Sequence, residues 1–353
     1  TDRNAPVAIS EFDGSTDAKS PTILQGGANW CALLKDGTVK CWGYSPVGDG
    51  TNNQRNSPVT VAVGGTVIDL GGGSTTKCAL LGDGTVKCWG SGTSGQIGNG
   101  ESVSKTSPTA ISLVKKAVEI SKGRSDTICV IFEDGSTSCW GWNNKGQLLD
   151  GTTTNRNSPV ALSEFDGSTD AKTAVQIVCS QHCCAVTKDS SLKCWGYNNK
   201  GQADGVTTTD VTAPATIDLG TGRTAAKVSI GDQHTCALLD DGSVKCWGKG
   251  QYGQLGHGGT TDKNSPTLVS GIDGSSSAKT AIDLSCASSC GIILEDNTVR
   301  TWGYQAYTGN GNGNSGIQDE PEDLGYPYSD SKAISSYIGY GSVVTGTGNS
   351  FTK

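Results

Sequence analysis

Apolar and polar positions alternate in short runs that recur about every 50 residues. Thr22–Leu24, Val67–Leu70, Val118–Ile120, Val175–Val178, Val228–Ile230 and Ile282–Leu284 each read as a short strand, because period-two alternation places one face in a core. A hairpin follows each run. In the first, Leu33-Leu34 and Val39 flank Lys35-Asp36-Gly37, a three-residue loop with glycine where the left-handed conformation is needed. Later hairpins keep Asp-Gly, Asp-Ser or Asp-Asn there, residues suited to turns. A glycine-rich loop and a Pro-Val strand come next, as at Ser57-Pro58-Val59 and Ser158-Pro159-Val160. Four strands per repeat is the content of one propeller blade.

The hairpin repeats almost verbatim. CALLKDGTVKCWG at 31–43 returns at 78–90, 129–141, 184–196 and 236–248, and as GIILEDNTVRTWG at 291–303. Its tryptophans, Trp42, Trp89, Trp140, Trp195, Trp247 and Trp302, stand 47 to 55 residues apart. Residues 341–353 resemble a degenerate seventh hairpin that stops short of its Trp-Gly. Residues 1–19 match residues 154–172 except at Asp2, Ala5 and Ile9, so the chain opens with the end of a repeat. Such an offset predicts a ring whose last blade is completed by the N-terminal strand. An open solenoid would need polar caps instead. The expected fold is all-β: a single seven-bladed propeller over residues 1–353, with 1–19 as the closing segment.

The order Ala-Leu, Asp-Gly-x-Val, Trp-Gly, Gly-Gln-Leu-Gly and later Pro-Val is similar to repeats of the regulator of chromosome condensation superfamily. Gly146-Gln147-Leu148 and Gly253-Gln254-Leu255-Gly256 carry it clearly, Gly95-Gln96-Ile97-Gly98 and Gly201-Gln202 more weakly. The resemblance spans essentially the whole chain and implies a seven-bladed propeller. It implies little about function. The family includes nuclear exchange factors, ubiquitin-ligase modules, plant photoreceptors and a secreted bacterial β-lactamase inhibitor, so function must come from the site.

Fourteen cysteines change the picture. The hairpin register places Cys31 opposite Cys41, within disulfide reach. By the same register Cys78 opposes Cys88, Cys129 opposes Cys139, Cys184 opposes Cys194, and Cys236 opposes Cys246. The sixth copy loses both positions together, to Gly291 and Thr301. Cys179 with Cys183, and Cys286 with Cys290, span the turn before their hairpins and read as two further staples. The competing reading is a metal, since zinc takes Cys-x₂₋₄-Cys pairs. The two short pairs sit in non-adjacent repeats, which favours staples and no metal. A hairpin staple contributes roughly 2.5–3 kcal/mol by the loop-entropy estimate. That many disulfides point to an oxidising, extracellular or cell-surface location. With Thr1 in place of an initiator Met and no signal peptide, the sequence reads as a mature or trimmed product.

Charge and chemistry narrow the function classes. The net charge of −7 argues against nucleic-acid partners, which need a basic patch. No run approaches the ~20 apolar residues of a membrane span. Of three histidines, His182 lies between cysteines, His234 is in a Gln-His-Thr turn and His257 is in a glycine-rich loop; all read as structural or solvated. No nucleophile-elbow, zincin or phosphate-loop motif occurs, and Asn310-Gly-Asn312-Gly-Asn314 lacks the acidic ligands of a calcium loop. No catalytic residue and no cofactor are expected. The repeated tryptophans read as core. Trp30, in what reads as a turn, and Trp142, outside the repeated Trp-Gly, are candidate contact residues. So are Tyr307, Tyr326 and Tyr328, in the stretch 305–332 that departs most from its siblings.

The expected function is a non-enzymatic protein-interaction or structural module, possessing a protein partner or assembling with itself in an adhesive, matrix or appendage assembly. A soluble secreted inhibitor or receptor-type binder is the alternative, and an exchange-factor-like module the third. Alkylation of the native protein is expected to add no label before reduction and fourteen after it, read by intact mass. Free thiols before reduction would overturn the oxidising-compartment reading.

Overall fold

The computed structural model describes residues 7–12, 14–123, 125–304, 316–323, 331–337, 340–345 and 350–352. Its strands form antiparallel sets of four, mostly in chain order, and Lys122–Gly123 links two of the sets in parallel into one nine-stranded sheet. The first sheet holds Pro21–Gln25, Asn29–Leu34, Val39–Gly43 and Arg55–Val61, and the second Val67–Gly72, Thr76–Leu81, Val86–Gly90 and Lys105–Ala110. The third holds Ala117–Ile120, Thr127–Phe132, Thr137–Gly141 and Arg156–Ala161, and the fourth Ala174–Cys179, His182–Thr187, Leu192–Gly196 and Val211–Thr216. The fifth holds Ala225–Ile230, His234–Leu239, Val244–Gly248 and Lys263–Leu268, and the sixth Ala281–Cys286, Ser289–Leu294, Val299–Tyr304 and Ile317–Asp323. A further sheet orders Val7–Ala8, Ser350–Thr352, Tyr340–Thr345 and Ser331–Tyr337, with Val7 opposite Thr352. The architecture is an all-β propeller of four-stranded blades.

Each hairpin is fixed by its loop. The Asp36 carboxylate accepts the Thr38 amide at 2.9 Å, and Asp83, Asp134, Asp189, Asp241 and Asp296 do the same in their own loops. Gly37 sits at φ 85°, the left-handed region, and where the fourth and sixth hairpins lack glycine, Ser190 and Asn297 adopt it at 63° and 67°. The register that follows sets Cys31 opposite Cys41, and the same pairing repeats down to Gly291 opposite Thr301. Seven disulfides close: Cys31–Cys41, Cys78–Cys88, Cys129–Cys139, Cys184–Cys194, Cys236–Cys246, Cys179–Cys183 and Cys286–Cys290.

Sheets join through the repeated tryptophans. Trp89, Trp140, Trp195, Trp247 and Trp302 are fully buried, each within an apolar cluster shared with the preceding sheet. The indole N–H of Trp140 donates to the Gln96 carbonyl at 3.0 Å. Trp195 donates to Gln147, Trp247 to Gln202 and Trp302 to Gln254, at 2.8–3.1 Å. The Gly-Gln loop is built for this. Each Gln side chain accepts the amide two residues upstream, as Gln96 does from Ser94 at 2.7 Å, which holds its own carbonyl towards the next blade. A Cβ on Gly98 or Gly256 would lie 2.5–2.8 Å from the indole it faces, so these two loops pack their glycine directly against the ring.

Trp89 is the exception, since its indole nitrogen is buried without an acceptor. Trp140→Phe should therefore cost about 1–3 kcal/mol more than Trp89→Phe, because it orphans the Gln96 carbonyl as well as removing volume. Equal losses in chemical denaturation would show that the indole–carbonyl bond contributes nothing.

Candidate functional site

The first strand of each sheet faces the propeller axis, where neighbouring first strands touch. A bulge interrupts each one, between Val67 and Asp69 in the second sheet and at equivalent places in the others. The bulge turns two successive side chains towards the axis. The first of these is apolar and exposed at Ile68, Val118, Val175 and Ile282, which rim one mouth on the side of the Asp-Gly hairpin loops. The second forms a polar belt of Asp69, Glu119, Gln176, Lys227 and Asp283.

The belt ties one blade to the next. Gln176 accepts the Val228 amide at 2.9 Å and donates to its carbonyl at 3.1 Å. Glu119 accepts the Ile177 amide at 3.4 Å in the same manner one blade earlier. Lys227 pairs with Asp283, and Lys122 reaches Asp69 at 3.0 Å. Sequence reading passed over these residues, because strict alternation assigns one of the two axial positions to the core. The signal was present as a polar residue at the third position of five of the six inner strands, the first having Ile23 there.

At the opposite mouth the turns pack closely. Lys122–Gly123 bridges in parallel to the ends of Val67–Gly72 and Ala174–Cys179, and a Cβ on Gly73 would lie 2.1 Å from the Ser125 carbonyl of the next turn. Around it the turns and loops form a groove lined by Ser74, Ser125, Asp126, Trp142, Gln181 and Asp232. Lys77 lies beneath, almost wholly buried, with its ammonium donating to the Gly73 and Ser74 carbonyls at 2.6 and 3.2 Å. Burial pushes Lys77 down to about 7, opposed by Asp126, and burial likewise raises Asp126.

Trp142 is thus half-buried at the groove. Trp30 lies elsewhere than the sequence suggested. It is within Asn29–Leu34 rather than in the turn, opposite Trp42, and its ring stacks on Trp42 at 6.4 Å. It is half-buried rather than fully displayed, because the strand extends two residues further back than the alternation indicated. Trp30 and Trp142 are not brought into one surface by any described contact. Tyr307, Tyr326, Tyr328 and the 310–314 run lie outside the described residues.

The histidines occupy three different settings. His182 is fully buried, its Nε2 2.7 Å from Thr235 Oγ1, and burial pushes it down to about 3. Thr235 in turn donates to the Gln202 carbonyl at 2.8 Å, so this contact is sealed inside a blade interface and out of reach of a substrate. His234 is buried with its Nε2 3.3 Å from Cys290 Sγ. His257 is partly exposed beside Thr261, and desolvation followed by Lys263 lowers it. Among the described residues, hydroxyls, carboxylates and one indole meet at the groove without a histidine or thiol among its lining residues.

The model for the regulator of chromosome condensation (RCC1) repeat matches residues 83–130, 134–186 and 241–294, and a second model for the same repeat matches 67–96, 175–202 and 225–254. Together they cover more than half of the chain, which belongs to the RCC1 repeat family. The ultraviolet-B receptor UVR8 of Arabidopsis thaliana is 31% identical over 52% of the chain and 41% of its own length. The human E3 ubiquitin-protein ligase HERC2 is 27% identical over 80% of the chain and 6% of its own length. The chain spans less than half the length of these curated relatives. Among solved structures, human WBSCR16 superposes with a TM-score of 0.78 at 18% identity, covering 93% of this chain and 84% of that one. Yeast RCC1 (Prp20), solved bound to Kap60, gives 0.74 at 19% identity, covering 93% and 78%. These structures share the fold.

The axial belt carries a pH dependence. Burial raises Glu119 from 4.5 to about 7. A carboxyl whose folded pKa lies above its unfolded one costs nothing below the lower value, costs more as pH rises between the two, and is constant above them. Glu119→Gln, which copies Gln176 of the next sheet, should leave stability unchanged at pH 4 and raise it by on the order of 2 kcal/mol at pH 8. Thermal unfolding at the two pH values checks this, and an equal effect at both would remove Glu119 as the titrating group.

Proposed function

We propose that this RCC1-repeat propeller is a single-domain, seven-bladed ring, closed by pairing of its first strand with its last, that works outside the cell as a non-enzymatic protein-binding module. The groove at the turn-side mouth supports this reading. Trp142 offers a rigid aromatic surface, while Asp126, Asp232 and the neighbouring hydroxyls supply acceptors, a combination suited to a basic or hydrogen-bonding side chain of a protein partner. His182 and His234 are buried and do not line that groove.

The disulfides favour an oxidising compartment. Among the described residues no helix is long and apolar enough to cross a membrane. Yeast RCC1 (Prp20), which shares the fold, was solved with Kap60 bound, which makes a protein the first partner class to test here. Structural assembly, in which the partner is another copy or a neighbouring subunit, is the leading form of this reading.

Two measurements test it. Size exclusion and microscopy of native material should show polymers or a stable complex, whereas monomers would favour a soluble inhibitor or receptor-type binder. Trp142→Ala combined with Asp232→Ala should lower recovery of the native partner at least about tenfold with an unchanged melting temperature. Unchanged recovery would move the binding surface away from this groove.

A further inference from the structure

The fifth and sixth sheets bring four metal-ligating side chains to one buried point. His234 and Cys236 come from His234–Leu239, and Cys286 and Cys290 bracket the turn before the sixth hairpin. Their ligand atoms all lie within 4.8 Å of one another, and all four residues are buried. His234 Nε2 stands 3.3 Å from Cys290 Sγ, and Cys236 Sγ stands 3.7 Å from Cys290 Sγ. A tetrahedral zinc with Zn–S near 2.3 Å and Zn–N near 2.0 Å separates its ligand atoms by about 3.5–3.8 Å. Gly231 makes room for the imidazole, since a Cβ there would lie 2.1 Å from His234 Cε1.

We propose that reduction of the Cys236–Cys246 and Cys286–Cys290 disulfides converts this point into a Cys₃His zinc site joining the fifth and sixth blades. The two disulfides take up four electrons and four protons from an external dithiol or phosphine, giving four thiols. Zinc then binds Cys236, Cys286 and Cys290 as thiolates and His234 as neutral imidazole, releasing three protons and leaving Cys246 as a thiol. The hairpin register does not require the staple, because the sixth hairpin keeps it with Gly291 opposite Thr301 and no disulfide between them.

The chain contains its own control. Between the third and fourth sheets, two interfaces away, three sulfurs also gather: Cys129 Sγ lies 3.6 Å from Cys179 Sγ, and Cys179 pairs with Cys183, although here the first cysteine of the short pair is the near one. There Thr127 occupies the place of His234, and its hydroxyl donates to the Trp142 carbonyl at 2.7 Å. Three sulfurs without the imidazole make an incomplete set, so one zinc per chain is the expected stoichiometry.

The test is native mass spectrometry of the full chain, reduced with a phosphine and then titrated with zinc, with cobalt absorption as the second readout. Reduced wild type should bind one zinc and show the visible bands of tetrahedral thiolate cobalt, while oxidised wild type binds none. His234→Thr, which installs the residue found at Thr127 and Thr76, should keep the near-ultraviolet circular dichroism of the fold and weaken zinc binding by more than about tenfold. The double variant Cys286→Ser with Cys290→Ser should weaken it as well. Undiminished binding in His234→Thr, no zinc on a folded reduced chain, or a reduced chain that neither stays folded nor refolds with zinc would each overturn the proposal.

Discussion

The bond on which this structure depends runs from an indole N–H to a main-chain carbonyl of the preceding blade. A blade has two apolar faces and cannot bury both alone, so its stability is a property of the interface. The tryptophan fills that interface with area, and its single polar atom would be costly there without an acceptor. The Gly-Gln loop supplies one. Its glutamine side chain ties back to its own loop, as Gln147 does to the Lys145 amide at 2.8 Å, which leaves the carbonyl aimed outward. A motif that looks like a loop signature in sequence is therefore half of a joint, completed by a residue about 45 positions later. The third loop tolerates a departure: Leu149 stands where glycine would serve and adopts φ 49°.

The bulge in each inner strand has a second effect. By presenting two side chains in succession to the axis, it lets one strand supply both an aliphatic rim and a polar belt. Glu119 and Gln176 bond to amides of the adjacent inner strand and Lys227 pairs with Asp283, so the axis is held by polar contacts and the blade interfaces by apolar ones. The two mouths consequently differ in kind. One is apolar at its rim, the other has closely approaching turn carbonyls and is edged with acids and hydroxyls.

Much of the fold was legible because the determinants are local. The Asp-Gly loops set the hairpin register, and the register alone carries Cys31 to Cys41 and Cys78 to Cys88. The site was less legible for a physical reason. Belt residues such as Glu119 and Gln176 act across blades, and a bulge shifts them off the alternation that a strand pattern assumes. Trp30 was misplaced for a related cause, a strand that runs on towards its turn. The meeting of His234 with Cys290 was hidden because 56 residues and a blade boundary separate them in the chain.

Every disulfide here joins residues four or ten positions apart within one sheet. During synthesis the partner of each cysteine emerges almost immediately after it, before the next repeat is available to compete. Oxidation can then proceed vectorially, hairpin by hairpin, with little opportunity for mispairing among fourteen similar thiols. The oxidised but unassembled chain becomes a string of pre-closed hairpins, and their association blade against blade is left to reversible contacts.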